Sequence, residues 1–485
     1  MKTKVILSAL YITVFSMTSN AQSNSTGQNN VWHIGSYYET STSSHSCYKL
    51  DFTSGTPQIS EADLKLGYYE SVSVVSDQYG NERMYTNGLK VLDGSGQLMK
   101  GAPQELLGPA DGNNGTATQG ALSVTDRSNN DIIHLFTTQG IDGAQNGLRY
   151  NKIDLSLAGN GTVNNPLGEV LVSDSLLFNN SSEMLTSIGS CESDSVWIIG
   201  HQQRSYNFIK ILLSTEGLSI DTQELATPLL NNFHAFTTTE GRGSLDFSPD
   251  GSKLAMTGSN SVGTHIMDFD FETGELSDPK ELRYLSSIYG VFTAFNGYDI
   301  EFSPDGSKLY GTMLLVNEMV QFDLEKDTSY TFPERPSAAS LEKGPDGNIY
   351  VAKVSQDYSL SLGRISNPNN SLIEGPEMAF YEPEAITFPS EFMGAVGYGL
   401  PQDNICYNNT ITSTKSMLKT SPGNLYPNPA VNYVYNTAGK ELVFYNALGS
   451  QVLKSTETKI NVSNLVEGVY FVKGSGNVTR LVVRK

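Results

Sequence analysis

Along most of the chain, hydrophobic and polar residues alternate in short runs separated by breaks rich in Gly, Asp, Asn and Pro. Alternation with a period of two predicts strands, each with one buried face. The clearest stretch is SLDF (244–247), then SPDG, then SKLAMTG (252–258). Ser-Pro-Asp-Gly suits a type I turn, with Ser first, Pro supplying its preset φ and Gly last. Strand, tight turn and strand make a β-hairpin. The octapeptide FSPDGSKL occurs twice, at 247–254 and 302–309. Each copy follows an alternating run (SLDF, DIEF) and precedes a further strand, THIMDFDFETGEL (264–276) or EMVQFDLEKDTSY (318–330). The unit is a small antiparallel sheet of three or four strands.

Weaker copies follow the same pattern. LEKGPDGNIYVAK (341–353) keeps the Pro-Asp-Gly turn, and SVSVVSDQYGNERMYTNG (71–88) loosens it to Asp-Gln-Tyr-Gly-Asn. ALSVTDRSNNDIIHLFTTQG (121–140) and LTSIGSCESDSVWIIGHQ (185–202) repeat the arrangement. The first unit, VWHIGSYYE with SCYKLDFTSGTP, lacks its opening strand, which GAVGYGLPQDNI (394–405) could supply. This makes seven units at spacings of about 40–60 residues, the mark of a propeller or an open solenoid. A ring closed by its two chain ends protects every sheet edge, and the incomplete first unit favours it. The expectation is a seven-bladed β-propeller over residues 22–405. Cys47 and Cys406 stand at its two ends, so a disulfide between them is expected to lock the closing blade.

After a linker (406–424) the pattern changes. Residues 425–485 hold short strands such as KELVFYNALG, QVLKS, GVYFVKG and TRLVVRK, a small β-sandwich with Gly449 and Gly468 at turns. Residues 31–405, through FSPDGSKL, GPDGNIYVA and YGLPQ, resemble a secreted Bacteroidetes β-propeller family related to WD40-like SPDG propellers. That resemblance implies a fold and no particular activity. The tail resembles the type A C-terminal sorting domain of the type IX secretion system. YPNP (Pro427, Asn428, Pro429), NALGSQV with Gly449, GVYFVK with Gly468 and Tyr470, and the terminal LVVRK fall in that family's order. The resemblance implies engagement with the type IX machinery, outer-membrane translocation, then removal of the tail with release or attachment at the cell surface.

The N-terminus agrees with export. Lys2 and Lys4 precede an apolar stretch (Val5–Phe15) and the small-residue site Ser19-Asn20-Ala21, which makes residues 1–21 a signal peptide cleaved after Ala21. No later stretch has the roughly 20 apolar residues that a membrane-spanning helix needs. The net charge is −20, and from Ser421 onward seven Lys or Arg oppose three acids, a net of +4. Without the signal's two lysines, residues 22–420 therefore carry about −26, which disfavours nucleic acid and anionic membranes as partners. The three cysteines lack zinc or thioredoxin spacing.

The search for catalytic motifs is negative: there is no HExxH, GxSxG or phosphate loop. DFDFETGEL (268–276) has Thr273 and Pro279 where a calcium loop needs Gly and Glu, so it is expected to be a half-exposed strand. His33, His134 and His201 lie in apolar strand segments and are expected to be packed; His45 and His265 are expected on loops or strand surfaces. His234, in an irregular connection, is the best functional candidate among the histidines.

A propeller's ligands meet the strands that line its central channel. The candidates there are Glu70, Gln119, Arg242, Tyr298, Asp299 and Glu342, a set able to bind a sugar or peptide. Two functions follow. The first is a non-enzymatic binding platform for a glycan, peptide or protein, with no cofactor. The alternative is a metal-dependent hydrolase of the propeller-lactonase type, with calcium or zinc held by channel carboxylates.

Overall fold

The computed structural model describes residues 30–484 except 35, 38–46, 56, 63–64, 67–69, 107–116, 139, 141–146, 191–192, 204, 206, 226–240, 259–262, 287–288, 314–317, 333–337, 355–359, 373–385, 388–394, 397–404, 408–424, 427–429, 437–441, 447–450 and 475–476. The signal peptide, His45, His234, Pro427–Pro429 and Gly449 lie outside these residues. The described residues contain strands and no helix, and the chain divides into two compact units at Asn408.

The first unit is a succession of small antiparallel sheets in chain order. The first sheet holds β1 (Val31–Ile34), β3 (Cys47–Asp51) and β4 (Gln58–Ala62); β2 (Ser36–Tyr37) follows β1 in the chain. The second holds β5 (Ser73–Ser76), β6 (Glu82–Thr86) and β7 (Val91–Asp93). The third holds β8 (Ala121–Thr125), β9 (Ile132–Thr137), β10 (Leu148–Asp154) and β11 (Glu169–Phe178). The fourth holds β12 (Ser181–Ser190), β13 (Val196–Gln202), β14 (Asn207–Ser214) and β15 (Gly217–Glu224). The fifth holds β16 (Gly243–Phe247), β17 (Lys253–Gly258), β18 (Gly263–Asp270), β19 (Glu275–Leu285) and β20 (Phe292–Ala294). The sixth holds β21 (Asp299–Phe302), β22 (Lys308–Met313), β23 (Glu318–Asp323) and β24 (Thr328–Thr331). The seventh holds β25 (Ala338–Lys343), β26 (Ile349–Val354), β27 (Leu360–Ile365) and β28 (Ile386–Thr387).

The Pro-Asp-Gly turns form as the sequence predicts. The amides of Gly251, Gly306 and Gly347 donate to the carbonyls of Ser248, Ser303 and Gly344. All three glycines have φ between 66° and 77°, a region other residues enter only with strain. Ser248 and Ser303 fasten the two hairpins further, since their hydroxyls accept from the amides of Lys253 and Lys308.

Consecutive sheets stack face to face. Leu254 and Met256 on β17 pack back against Trp197 and Ile199 of β13, while Ala255 between them faces Ile300 and Phe302 of β21. The inner strands are thus buried on both faces, where simple alternation predicts one. The first and seventh sheets also meet: Trp32 and Phe52 pack on Tyr350, with ring centroids 5.5 and 5.4 Å apart.

Two short strands end the unit. β29 (Ala395–Val396) pairs antiparallel with β2 in a two-stranded sheet of their own. β30 (Ile405–Tyr407) pairs parallel with β12 of the fourth sheet, with Cys406 opposite Gly189. Cys47 begins β3 of the first sheet, and the backbone of Cys406 is on β30 beside the fourth. Cys191 lies outside the described residues.

The second unit is the expected sandwich. One sheet orders β31 (Leu425–Tyr426), β32 (Tyr433–Asn436) and β35 (Lys459–Asn461). The other orders β34 (Gln451–Ser455), β33 (Leu442–Tyr445), β36 (Gly468–Gly474) and β37 (Asn477–Val483). Val434, Phe444, Ile460, Val472 and Leu481 meet in its core. Gly468 opens β36, and Tyr470 is buried with its hydroxyl donating to the Val466 carbonyl at 2.6 Å.

Candidate functional site

Residues on or just ahead of the first strand of each sheet from the second to the seventh line one narrow channel. Its lining includes Val72, Gln119, Thr186, Asp246, Asp299, Glu301 and Glu342. The segments leading into these strands gather at one end, where Thr118 touches both Glu183 and Gly243. The turns that follow them gather at the other, where Pro249 lies 3.5 Å from the position of a Cβ on Gly306. The clear space in the channel is about 30 Å³, enough for a water molecule or two and too little for a sugar ring.

The reason is visible in the hydrogen bonds. Gln119 reaches across two sheets: its Oε1 accepts from the amides of Leu185 (3.0 Å) and Leu245 (2.9 Å), and its Nε2 donates to the Leu245 carbonyl (2.9 Å). Asp246 accepts from the Phe302 amide at 2.8 Å. Asp299 accepts from the amides of Ile300 (2.9 Å) and Leu341 (2.8 Å). Glu301 accepts from the Lys343 amide at 3.2 Å and pairs with its ammonium at 3.3 Å. These side chains therefore act as struts between sheets.

The entry end differs. Tyr298 is buried and faces Glu70, Glu183 and Asp299; burial, then the fields of Glu70 and Glu183, push its hydroxyl well above the usual phenol range. Burial likewise raises the Asp299 carboxyl to about 7, although the amides of Leu341 and Ile300 and the Ser244 hydroxyl pull the other way. Arg242 is half-buried just ahead of β16, and Glu342 is buried on β25. The structure thus brings Glu70, Tyr298 and Asp299 together and puts Gln119, Asp299 and Glu342 on the channel lining.

Glu183 was not among the sequence candidates. It is fully buried, and its carboxylate accepts from the Thr118 amide at 3.1 Å. Its signal was its place at the start of an inner strand, as with Asp299. Among the described residues, no three His, Cys, Asp or Glu side chains are grouped as a metal site requires. Asp246, Asp299 and Glu301 point oxygens at backbone amides, an arrangement that suits a cation poorly.

Among the histidines, His33, His134 and His201 are buried as expected. His265 corrects the sequence expectation: it is 3 % exposed on β18, because β17 and β19 flank it and the sixth sheet packs on the fifth. Burial lowers both His201 and His265 to about 4, so neither carries charge at neutral pH. In DFDFETGEL, Phe269 and Phe271 are buried, as is Met267 just before it, while Asp270 is exposed and caps the turn through the amides of Glu272 and Thr273.

Residues 424–485 match the secretion system C-terminal sorting domain family. No curated protein matches the chain. Among solved structures, a Lactobacillus plantarum protein is similar at 12% identity and a TM-score of 0.43, covering 77% of this chain and 98% of its own. The periplasmic gluconolactonase PpgL of Pseudomonas aeruginosa is similar at 12% identity and a TM-score of 0.36, covering 94% and 100%. The Cps50 (Swd1) β-propeller domain of Myceliophteria thermophila is similar at 9% identity and a TM-score of 0.38, covering 64% and 87%. At these scores none of them bears on what this chain does.

Proposed function

We propose that the exported body is a seven-bladed propeller, closed between its first and seventh sheets, that serves as a non-enzymatic binding platform for a glycan, peptide or protein. The type IX sorting domain marks the chain for secretion, to the cell surface or outside the cell. No helix among the described residues is long and apolar enough to cross a membrane. The observation that supports the platform reading most is the use of the channel's polar side chains. Gln119, Asp246, Asp299 and Glu301 each hold an amide of a neighbouring strand, which leaves the channel a rigid axle. Ligand would then meet the entry end, where Glu70, Glu183, Arg242 and Tyr298 stand.

A metal-dependent hydrolase of the lactonase type is the second reading. It draws on the raised Asp299 carboxyl beside other acids. Melting the purified protein with EDTA, calcium or zinc, and assaying lactone turnover, separates the two. The platform reading expects no metal dependence and no turnover. A melting temperature that falls with EDTA and recovers with calcium, accompanied by lactone hydrolysis, would establish the hydrolase instead. A ligand at 100 times its Kd stabilises by roughly 2.7 kcal/mol, so a glycan or peptide panel can be read in the same experiment.

A further inference from the structure

At its outer edge the fifth sheet goes one strand further than its neighbours. The third, fourth, sixth and seventh sheets end there on their fourth strand, whereas the fifth goes on to β20. Its β19 runs for 11 residues where β24, the matching strand of the next sheet, has 4. β19 and β20 form a hairpin beyond the repeat, with Tyr284 opposite Thr293 and Leu285 opposite Phe292.

The base of this hairpin is fixed in the core. Tyr284 and Phe295 are buried, their rings meet edge to face with centroids 5.2 Å apart, and the Tyr284 hydroxyl donates to Glu318. The tip is the reverse: Leu285, Tyr289, Val291 and Phe292 are 47%, 69%, 55% and 66% exposed. Gly290, at the turn, has open space where a Cβ would stand. Core packing therefore holds an apolar finger out into solvent.

The chemistry of the tip selects what covers it. Residues 284–298 hold no charged side chain, in a body that carries about −26. Three amides of the tip are paired within it: Ser286 donates to the Val291 carbonyl, Gly290 to the Ser286 carbonyl and Tyr289 to the Ser286 hydroxyl. Backbone paired from inside can leave water at little cost, which is the condition a lipid phase imposes. The four side chains expose on the order of 400 Å², about half of what each partner in a stable protein pair contributes. Tyr and Phe are also the residues that favour the boundary between water and lipid.

We propose that the β19–β20 hairpin anchors the protein to an electrically neutral lipid surface. Leu285, Tyr289, Val291 and Phe292 enter the boundary between headgroups and acyl chains, to a depth of about 5–10 Å. Arg283, 57% exposed and two residues before Leu285, stands at the level of the headgroups. The acidic body is repelled by anionic surfaces, so the lipid is zwitterionic or uncharged. One small finger gives reversible attachment. The inference depends neither on the closed ring nor on the platform reading.

Flotation of the full chain with phosphatidylcholine vesicles tests it. The parent should float with the vesicles. Tyr289→Ser/Phe292→Ser, at two exposed positions, should keep the parent's melting temperature and lose vesicle affinity by about tenfold or more. In Tyr289→Trp, vesicles should shift the added indole's emission to the blue, and lipids brominated near the headgroup should quench it; Trp32 and Trp197 are buried and give a constant background. Should the double variant fail to fold, that emission decides alone. The anchor is overturned by a parent that neither floats nor shifts, by flotation that the double variant retains, or by flotation that needs anionic lipid. A parent dimer that the double variant dissolves, without vesicle binding, would make a second copy the occupant instead.

Discussion

Asp299 combines three demands in one side chain. It is half-buried, it accepts amides from its own strand and from the next sheet, and it lies beside Glu301 and Tyr298. Burial outweighs the hydrogen bonds and raises its carboxyl from 3.8 to about 7. A group whose native pKa lies above its unfolded value holds its proton more tightly when folded. Its contribution to stability therefore falls as pH rises from about 4 to about 7 and is flat above that. Glu82 and Asp126 are shifted down: burial would raise them, but hydrogen bonds to His33 and to Ser128 and His134 outweigh it. Their stabilisation is lost only below the ordinary carboxylate range. In Asp299→Asn, the melting temperature should lose the decline that the parent shows between pH 4.5 and 7.5. A parent curve parallel to the variant's across that window would show that Asp299 is ionised throughout.

At the scale of elements, the sequence was most informative where the chain acts locally. Ser-Pro-Asp-Gly predicted the hairpins of β16–β17 and β21–β22 because Pro sets one φ and Gly permits a positive one. The short strands of the tail, such as QVLKS and GVYFVKG, likewise pointed to a small β-sandwich. What alternation did not reveal is which neighbours cover each face. His265 belongs to a strand that carries acids further along, and only the docking of another sheet buries it. The same limit hid the task of Gln119. Its residue type suits a ligand, but it holds β12 and β16 together with three hydrogen bonds that span 66 and 126 residues of chain. Contacts across such separations leave no local pattern. Replacing it by Leu leaves two buried amides and a carbonyl without partners, at a cost of roughly 2–4 kcal/mol. Chemical denaturation of Gln119→Leu should show that loss, and Gln119→Glu, which can still accept, should recover part of it. A loss below about 0.5 kcal/mol, the range of an ordinary surface change, would mean that Gln119 is not a strut.

For the whole molecule, the sequence divides into two units of opposite charge. The body is acidic and the tail basic, and the tail's match to the sorting domain places the chain outside the cell or on its surface. A rigid body whose axle is filled by its own side chains suits display of its mouth and rim, and that rigidity depends on closure. The packing of Trp32 and Phe52 on Tyr350 and the pairing of β2 with β29 both favour a ring joined by its two ends. The most direct measurement is a cross-strand disulfide in the full chain, Ser36→Cys with Val396→Cys. Residues opposite each other in an antiparallel pair lie about 4.5–5.5 Å apart, within reach of the bond. The closed ring predicts an intramolecular disulfide absent from either single variant, with a higher melting temperature that reduction reverses. Two thiols that alkylate freely under oxidising conditions, with no internal crosslink, would contradict it.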